Sequence, residues 1–333
     1  MRILFITATR IGDVVLSSGL FQWLATTHPQ ARMTVACGAV AESLFRAHPQ
    51  VERIIPLSKR PLGGHWRSLW WEVVRKRWDM VVDLRRSLLP WTVRAGVRRS
   101  IPHPRPGQHR VQLIAATLGL DPPPPPSLWI GAPERARAAE ILAGGDEPVL
   151  AIAATANWAG KIWPGERFAE LVQRLTRAAG PLAGARIFVT AGRGEEALAR
   201  PFLDSIPEQR RIACIGLDLL VAAAMFQRCR LFIGNDSGLM HLAAAAGTPT
   251  IGLFGPTRDE LYRPWGEHCR VVRTPESVEE LTGHTGYDHR TTGSLMGTLT
   301  VDAVERTVVE LLSASSQPPS AAEPNPVSRR RHG

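Results

Sequence analysis

The chain has 333 residues, 44% of them hydrophobic and 21% charged, enough for two domains with real cores and not the composition of a disordered chain. Four cysteines without a CxxC pair argue against a disulfide framework or structural zinc and fit a reducing cytoplasm; no apolar run reaches the length of a membrane span, and "ILFI" is too short for a signal peptide. The net charge of +10 is lopsided: residues 1–140 carry 20 Lys and Arg against 9 Asp and Glu, and residues 59–110 carry 13 against 3, so the first half is expected to meet an anionic partner.

In chain order, "RILFI" (2–6) reads as a strand, 13–28 as a helix, 31–38 as a strand, 41–48 as a helix, 51–57 as a strand, 66–77 as a helix and 78–85 as a strand. Alternating elements of this kind make a parallel sheet wrapped by helices. Five consecutive prolines at 122–126 admit neither helix nor central strand and form a stiff surface segment approaching a domain boundary. A helix follows, "ERARAAEILAG", and then the pattern restarts. Strands are expected at 148–154, 185–192, 210–216, 230–236 and 249–255. Helices lie between them, and a last one spans 300–314. The expected fold class is therefore α/β, two Rossmann-like domains facing a cleft: residues 1–143, residues 144–299, the helix 300–314, and a Pro/Ser-rich tail over 315–333 expected to be disordered.

The densest segment is "NDSGLMHLAAAAGTPTIGLFGPT" (235–257). A strand ends at Asn235-Asp236, Ser237 and Gly238 stand at the mouth of a helix, and His241 lies one turn in. Backbone N–H groups at a positive helix end suit a diphosphate. Taken alone, Asp-Ser-Gly is equally an ordinary helix N-cap.

The whole string resembles the signature of glycosyltransferase family 9, the ADP-heptose:lipopolysaccharide heptosyltransferases and their relatives. The matching positions are Asp236, Ser237, Gly238, His241, Leu242 to Ala244, Gly247 and Pro249. "GD" at 12–13, "WDMVVDLRRS" (78–87), "KIWPGERFAEL" (161–171) and "TAGRGEE" (190–196) follow the family's order, so the resemblance covers most of residues 1–312. It implies a glycosyltransferase B fold, with an acceptor-binding first domain, a nucleotide-sugar-binding second domain, and a last helix crossing back to the first. It also implies a Lys at 161 meeting the donor phosphates and a Glu on the ribose hydroxyls, for which Glu195 is preferred to Glu196. Thr155 is a further donor contact; Ala154 and Ala156 depart from the family's usual hydroxyl or Gly residues there.

From these readings come the expected roles. Asp13 is the general base for the acceptor hydroxyl. Gly12 makes the tight turn before it, on the acceptor side. Arg85 and Arg86 end a strand at the predicted cleft and are expected to meet acceptor phosphates or carboxylates. Lys161, Asp236, Ser237, Gly238 and His241 handle the donor diphosphate. The rival for Asp13 is a plain helix N-cap. The donor is expected to be ADP-heptose and the acceptor an anionic glycolipid. The Trp-rich basic stretch 59–78 suits a membrane interface, giving a peripheral protein on the inner face of the cytoplasmic membrane; no nucleic-acid motif accompanies it. No His, Cys, Asp or Glu cluster has metal-ligand spacing, the family works without a metal, and no cofactor is expected. An NAD-dependent oxidoreductase is disfavoured because no G-x-G-x-x-G follows a strand. A non-catalytic relative of the fold, or a family member with another sugar or acceptor, stays open. Residues 277–298, near the expected donor base, carry no familiar pattern.

Overall fold

The computed structural model describes residues 1–58, 61–285 and 287–315. Lys59 and Arg60 of the basic stretch, and the tail beyond Ser315, lie outside the described residues.

The first sheet consists of β1 (Arg2–Ile6), β2 (Arg32–Gly38), β3 (Val51–Leu57), β4 (Arg77–Asp83) and β5 (Arg94–Ser100), all parallel, in the order β3-β2-β1-β4-β5. Its helices are α1 (Ile11–Thr27), α2 (Ser43–Arg46), α3 (Gly64–Val73), α4 (Leu89–Thr92) and α5 (Arg110–Ala115). After α6 (Ala132–Leu142) comes a second parallel sheet, built from β6 (Val149–Ala153), β7 (Arg186–Ala191), β8 (Arg211–Ile215), β9 (Leu231–Asn235), β10 (Thr250–Phe254) and β11 (Cys269–Arg273). Its order is β11-β10-β9-β6-β7-β8. Around it lie α7 (Gly165–Thr176), α8 (Glu196–Asp204), α9 (Leu219–Phe226), α10 (Gly238–Ala245), α11 (Asp259–Tyr262), α12 (Val278–Thr282) and α13 (Val301–Ser315).

The central strands are continuous apolar runs because helices cover both faces. β6, β9 and β10 are buried at every residue. Phe5, Phe21 and Phe45 meet edge to face beneath α1 and α2. Strands β5 and β11 are not expected from the sequence. Each is the outermost strand of its sheet, and both are rich in Arg and only partly buried. Alternation is weak where one edge and much of a face meet water.

Three further expectations change, and the proline run gains a contact. Helix α1 begins at Ile11, two residues early, so Gly12 and Asp13 belong to its first turn. Gly12 makes no tight turn, and the N-cap position falls on Arg10, which makes no side-chain cap; Asp13 is not the cap. The expected helix at 41–48 is a single helical turn, α2, preceded by a 3-10 turn. The proline run is a surface segment, as expected, and it also has a partner. It lies against α1 at Gly19, where a Cβ would stand 2.3 Å from the Pro125 carbonyl oxygen, and Ser127 N–H donates to Ser18 Oγ at 2.9 Å. Finally, α13 does not return to the first domain within the described residues. Its apolar stripe, Val301, Val304, Val308, Leu311 and Leu312, joins the core of the second domain on α7 and β11. Asp302 and Glu305 pin it to Arg174 of α7. It is α6 that packs on α9, carrying Ala138 and Leu142 into the larger core.

Candidate active site

In parallel sheets, ligands bind where the strand order reverses, at the carboxyl ends of the strands. The first sheet reverses between β1 and β4. After β1 come Gly12 and Asp13, in the first turn of α1, and after β4 come Arg85 and Arg86. The second reverses between β6 and β9; Thr155 and Lys161 follow β6, and Asp236, Ser237 and the first residue of α10, Gly238, follow β9.

The two domains touch through the N-termini of α1 and α10. A Cβ on Gly238 would stand 2.8 Å from Ile11 Cβ and 3.1 Å from Gly12 N. A Cβ on Gly12 would stand 2.9 Å from His241 Cδ2. Gly12 is therefore needed for the close approach of the two helices rather than for a turn.

On the first-domain side, the Asp13 carboxylate faces Arg110, with Oδ1 and Nε 3.5 Å apart and both side chains about a quarter exposed (24% and 22%). Arg85 Nη1 reaches Thr9 Oγ1 at 3.5 Å, and its guanidinium lies over the Trp66 ring at 6.0 Å. Asp83 is buried at the end of β4 and organises the loop that follows. It accepts from Arg85 N, Ser87 N and Ser87 Oγ. Burial pushes its carboxyl above the usual range, and those hydrogen bonds oppose the shift. Arg86 adopts a left-handed backbone at φ 53° and meets His103.

On the second-domain side, Lys161 Nζ lies 2.7 Å from Asp236 Oδ2 and also donates to the Asp236 carbonyl at 3.4 Å. The ammonium is thus held by Asp236 at the mouth of α10. Ser237 is the N-cap of α10 but makes no side-chain cap. Its Oγ and His241 Nδ1 are buried with no hydrogen-bond partner in the protein. Buried polar atoms are normally satisfied, so these two are free to bond a ligand atom. Glu195 is the better placed of its pair. Its Oε2 accepts from Thr155 Oγ1 at 2.6 Å and from Gly192 N at 2.9 Å, whereas Glu196 is exposed and bonds Gly194 N.

The imidazole of His241 is held neutral. Burial pushes it down to about 4, against the pull of Asp236 and with the help of His109 and Lys161. His109, which opens α5, is likewise pushed down to about 4 by burial. Its Nδ1 accepts from Val111 N, so its neutral form carries the proton on Nε2, which donates to the Arg263 carbonyl across the domain contact at 3.0 Å. Its ring lies 4.8 Å from that of Trp265. Both histidines ordinarily titrate at 6.5. The unfolded chain therefore takes up protons below that pH while the folded chain does not until about 4. Their contribution is complete above about pH 6.5 and is lost as pH falls toward 4. At pH 5 the loss is about 2 kcal/mol for each. Urea unfolding at pH 7 and pH 5 measures it. His109→Asn is expected to remove that share of the drop, and a drop unchanged by the substitution contradicts a neutral His109.

Several site residues escape the sequence reading. Arg110 and His109 carry no motif, although the capping box between His109 and Gln112 marks the start of α5. Tyr262 stands near Asp13 and Asp236; burial first, and then the Asp13 carboxylate, push its phenol up. A cavity of about 620 Å³ opens in the cleft between Arg10 of the first domain and Trp158, Lys161, Tyr287, His289 and Arg290 of the second. The unfamiliar segment after α12 thus reaches the site. Ser294 Oγ donates to the Ile162 carbonyl, Leu295 N to Gly160 O, and the Tyr287 and Trp158 rings stand 6.4 Å apart. A smaller hollow of about 310 Å³, beside Arg32 and Gln50, lies at the opposite end of the first sheet. Among the described residues, no group of three or more His, Cys, Asp or Glu is disposed to hold a metal ion, and no helix is long and apolar enough to cross a membrane.

The family Glycosyltransferase family 9 (heptosyltransferase) matches residues 85–285. Lipopolysaccharide heptosyltransferase 2 of Salmonella typhimurium is 25% identical over 320 residues, covering 82% of this chain and 88% of the relative. Lipopolysaccharide heptosyltransferase 1 of Pseudomonas aeruginosa is 27% identical over 309 residues, covering 80% and 82%. Among solved structures, Escherichia coli ADP-heptose lipopolysaccharide heptosyltransferase II aligns with a TM-score of 0.75 at 21% identity, over 95% of this chain and 100% of that one. E. coli heptosyltransferase WaaC with ADP aligns with a TM-score of 0.69 at 20% identity, over 93% and 100%. These two share the paired-domain fold.

Proposed function

Since the chain belongs to glycosyltransferase family 9 and is a glycosyltransferase, we propose that it moves a heptose-type sugar from ADP-heptose to a lipopolysaccharide core or related glycolipid, inverting the anomeric carbon. The observation that carries this reading is the contact of the two helix N-termini at Gly12 and Gly238. It puts a carboxylate, Asp13, in the same cleft as a cation and unpartnered donors, Lys161, Ser237 and His241.

In the proposed reaction, Asp13 accepts the proton of the acceptor hydroxyl. The hydroxyl oxygen bonds to the anomeric carbon on one face while the bond to the diphosphate breaks on the other. The departing electron pair goes to the diphosphate oxygen, where Lys161, the N-terminus of α10, Ser237 Oγ and neutral His241 stabilise it. Asp236 holds Lys161 in place. Glu195, kept in position by Thr155 and Gly192, has one oxygen left to accept from a ribose hydroxyl. Arg85 and Arg86 serve the acceptor's anionic groups, and Gly12 lets the halves close. The protein works peripherally on the inner face of the cytoplasmic membrane, where a lipid-linked acceptor is available.

A thermal-shift panel of ADP-, GDP- and UDP-sugars tests the donor. ADP-sugars are expected to raise Tm, by an amount that grows with concentration, and the others to leave it unchanged. Stabilisation by GDP- or UDP-sugars alone contradicts the adenine assignment while keeping the fold and chemistry.

A further inference from the structure

The cavity in the cleft, about 620 Å³, holds more positive charge than the proposed chemistry uses. Arg10, Lys161 and Arg290 line it together with His289, and no Asp or Glu does. Lys161 is matched by Asp236 at 2.7 Å. Arg10 and Arg290 are exposed, and among the described residues no carboxylate pairs with either. Arg10 is the N-cap residue of α1, yet its side chain makes no cap bond. Asp288 is the one acid in residues 283–293, and its own turn uses it. Its Oδ1 accepts from Arg290 N at 2.9 Å and lies 3.7 Å from His289 Nδ1. Two rings complete the walls. Trp158 and Tyr287 stand 6.4 Å apart with their planes at 76°, so they form a corner. A Cβ on Gly160 would stand 2.7 Å from the Trp158 ring, so the glycine lets the indole lie against the turn that carries Lys161.

Exposed arginines need no partner in water, and that reading serves for either residue alone. It does not account for their meeting. The two come from different domains, and with Lys161 they bring like charges to one hollow, which costs free energy until an anion enters. Nor does it account for the rings. Aromatic faces are electron-rich and attract the polarised C–H groups of a sugar ring, and rings with a few convergent charges are the usual lining of a small-molecule site. The segment bearing Tyr287 and Arg290 is tied to the Trp158 side of the hollow, through Ser294 Oγ on the Ile162 carbonyl and Leu295 N on the Gly160 carbonyl.

The ligand follows by elimination among the reactants. The departing diphosphate already has Lys161, the N-terminus of α10, Ser237 and His241. A heptose carries no charge. The acceptor is left, and Arg10 stands three residues before Asp13, the group that takes its proton. We propose that Arg10 and Arg290, one from each domain, clamp an acidic substituent of the acceptor sugar, a carboxylate or a phosphate, while the sugar ring packs in the corner of Trp158 and Tyr287. A guanidinium pairs with either anion through two parallel N–H bonds. The clamp gives the acceptor a wall in the second domain, in addition to Arg85 and Arg86 in the first. It also makes the unfamiliar segment 277–298 a determinant of acceptor choice. The inference rests on the reading of glycosyl transfer for its purpose, and on the cavity itself for its chemistry.

The test is an NMR titration of the full chain with glucose 6-phosphate, methyl glucuronide, neutral methyl glucoside and inorganic phosphate, in saturating ADP so that the diphosphate site is filled. At least one acidic sugar is expected to bind about tenfold or more tighter than methyl glucoside, and tighter than inorganic phosphate, which lacks the ring. Which of the two binds tells a phosphate from a carboxylate. Arg10→Gln and Arg290→Gln are each expected to weaken the acidic sugar by about tenfold or more, the usual worth of a charge-assisted hydrogen bond. Tm and its rise with ADP-sugars should stay unchanged in both. Trp158→Ala is expected to weaken the acidic sugar and to leave inorganic phosphate as it was. Arg306→Gln, exposed on α13, is the control for net charge and is expected to bind as the parent does. Equal binding of neutral and acidic sugars, or an equal loss in the control, overturns the proposal. So does a lost ADP-sugar response in Arg10→Gln or Arg290→Gln, which places the arginines on the donor diphosphate instead. A protein that responds to no ADP-sugar, yet binds an acidic sugar through Arg10 and Arg290, counts against the proposed donor alone.

Discussion

Asp13→Asn is expected to lower turnover by about 100- to 10,000-fold, the range over which a positioned general base contributes, and to leave the thermal shift by ADP-sugars intact. Asn keeps the shape of the side chain and, in the first turn of α1, loses no cap, because that helix is not capped by residue 13. What it loses is the charge that faces Arg110 and the ability to take a proton. A structural alternative exists: Asp13 could serve only to hold Arg110, 3.5 Å away. The two roles separate in Arg110→Ala. If Asp13 is the base, Arg110→Ala leaves most of the turnover and acts mainly through KM for the acceptor. If Asp13 is only an anchor, the two variants lose the same amount in the same parameter. Full turnover in Asp13→Asn removes the residue from the chemistry altogether.

The central strands were legible because burial on both faces writes them as unbroken apolar runs, as in "VLAIA" and "LFIGN". The loops that follow them inherit their position from topology, so Lys161 and Asp236, 75 residues apart in sequence, could be expected together at one switch point; their 2.7 Å pair is found there. What stayed hidden has two physical causes. Edge strands such as "RAGVRRS" and "CRVVR" meet solvent along one side, and their arginines mask the alternation. Residues that act through contact between the domains leave no local pattern. His109 reaches Arg263 across 154 residues, and neither its neighbours nor its spacing foretells that bond. Helix α13 shows the limit from the other side. Its apolar stripe announces a helix with a buried face, but any apolar partner satisfies such a stripe, and the one it finds is α7 and β11 rather than the first domain.

Lys161→Ala is expected to cut kcat by more than about 100-fold, the usual cost of removing one group aimed at developing negative charge, and to weaken the response to the donor. Two effects add. The substitution removes the ammonium that would meet the leaving diphosphate. It also strips Asp236 of its partner, leaving a largely buried carboxylate (9% exposed) at the mouth of α10, where it repels the same phosphates. Both effects fall on the donor, so acceptor KM should move little. The second variant distinguishes them. Lys161→Ala/Asp236→Ala removes the repulsion along with the cation, and is expected to regain part of the donor response while kcat stays low. Asp236→Asn keeps the cation but loosens its hold, and is expected to show a smaller loss in kcat than Lys161→Ala with near-normal donor binding. If Lys161→Ala retains both kcat and the donor response, the leaving group is stabilised elsewhere, and the backbone N–H groups of α10 with neutral His241 become the groups to test next. If the double variant is no better than Lys161→Ala at binding donor, the Asp236 charge is not felt by the phosphates, and its only part is to hold the lysine.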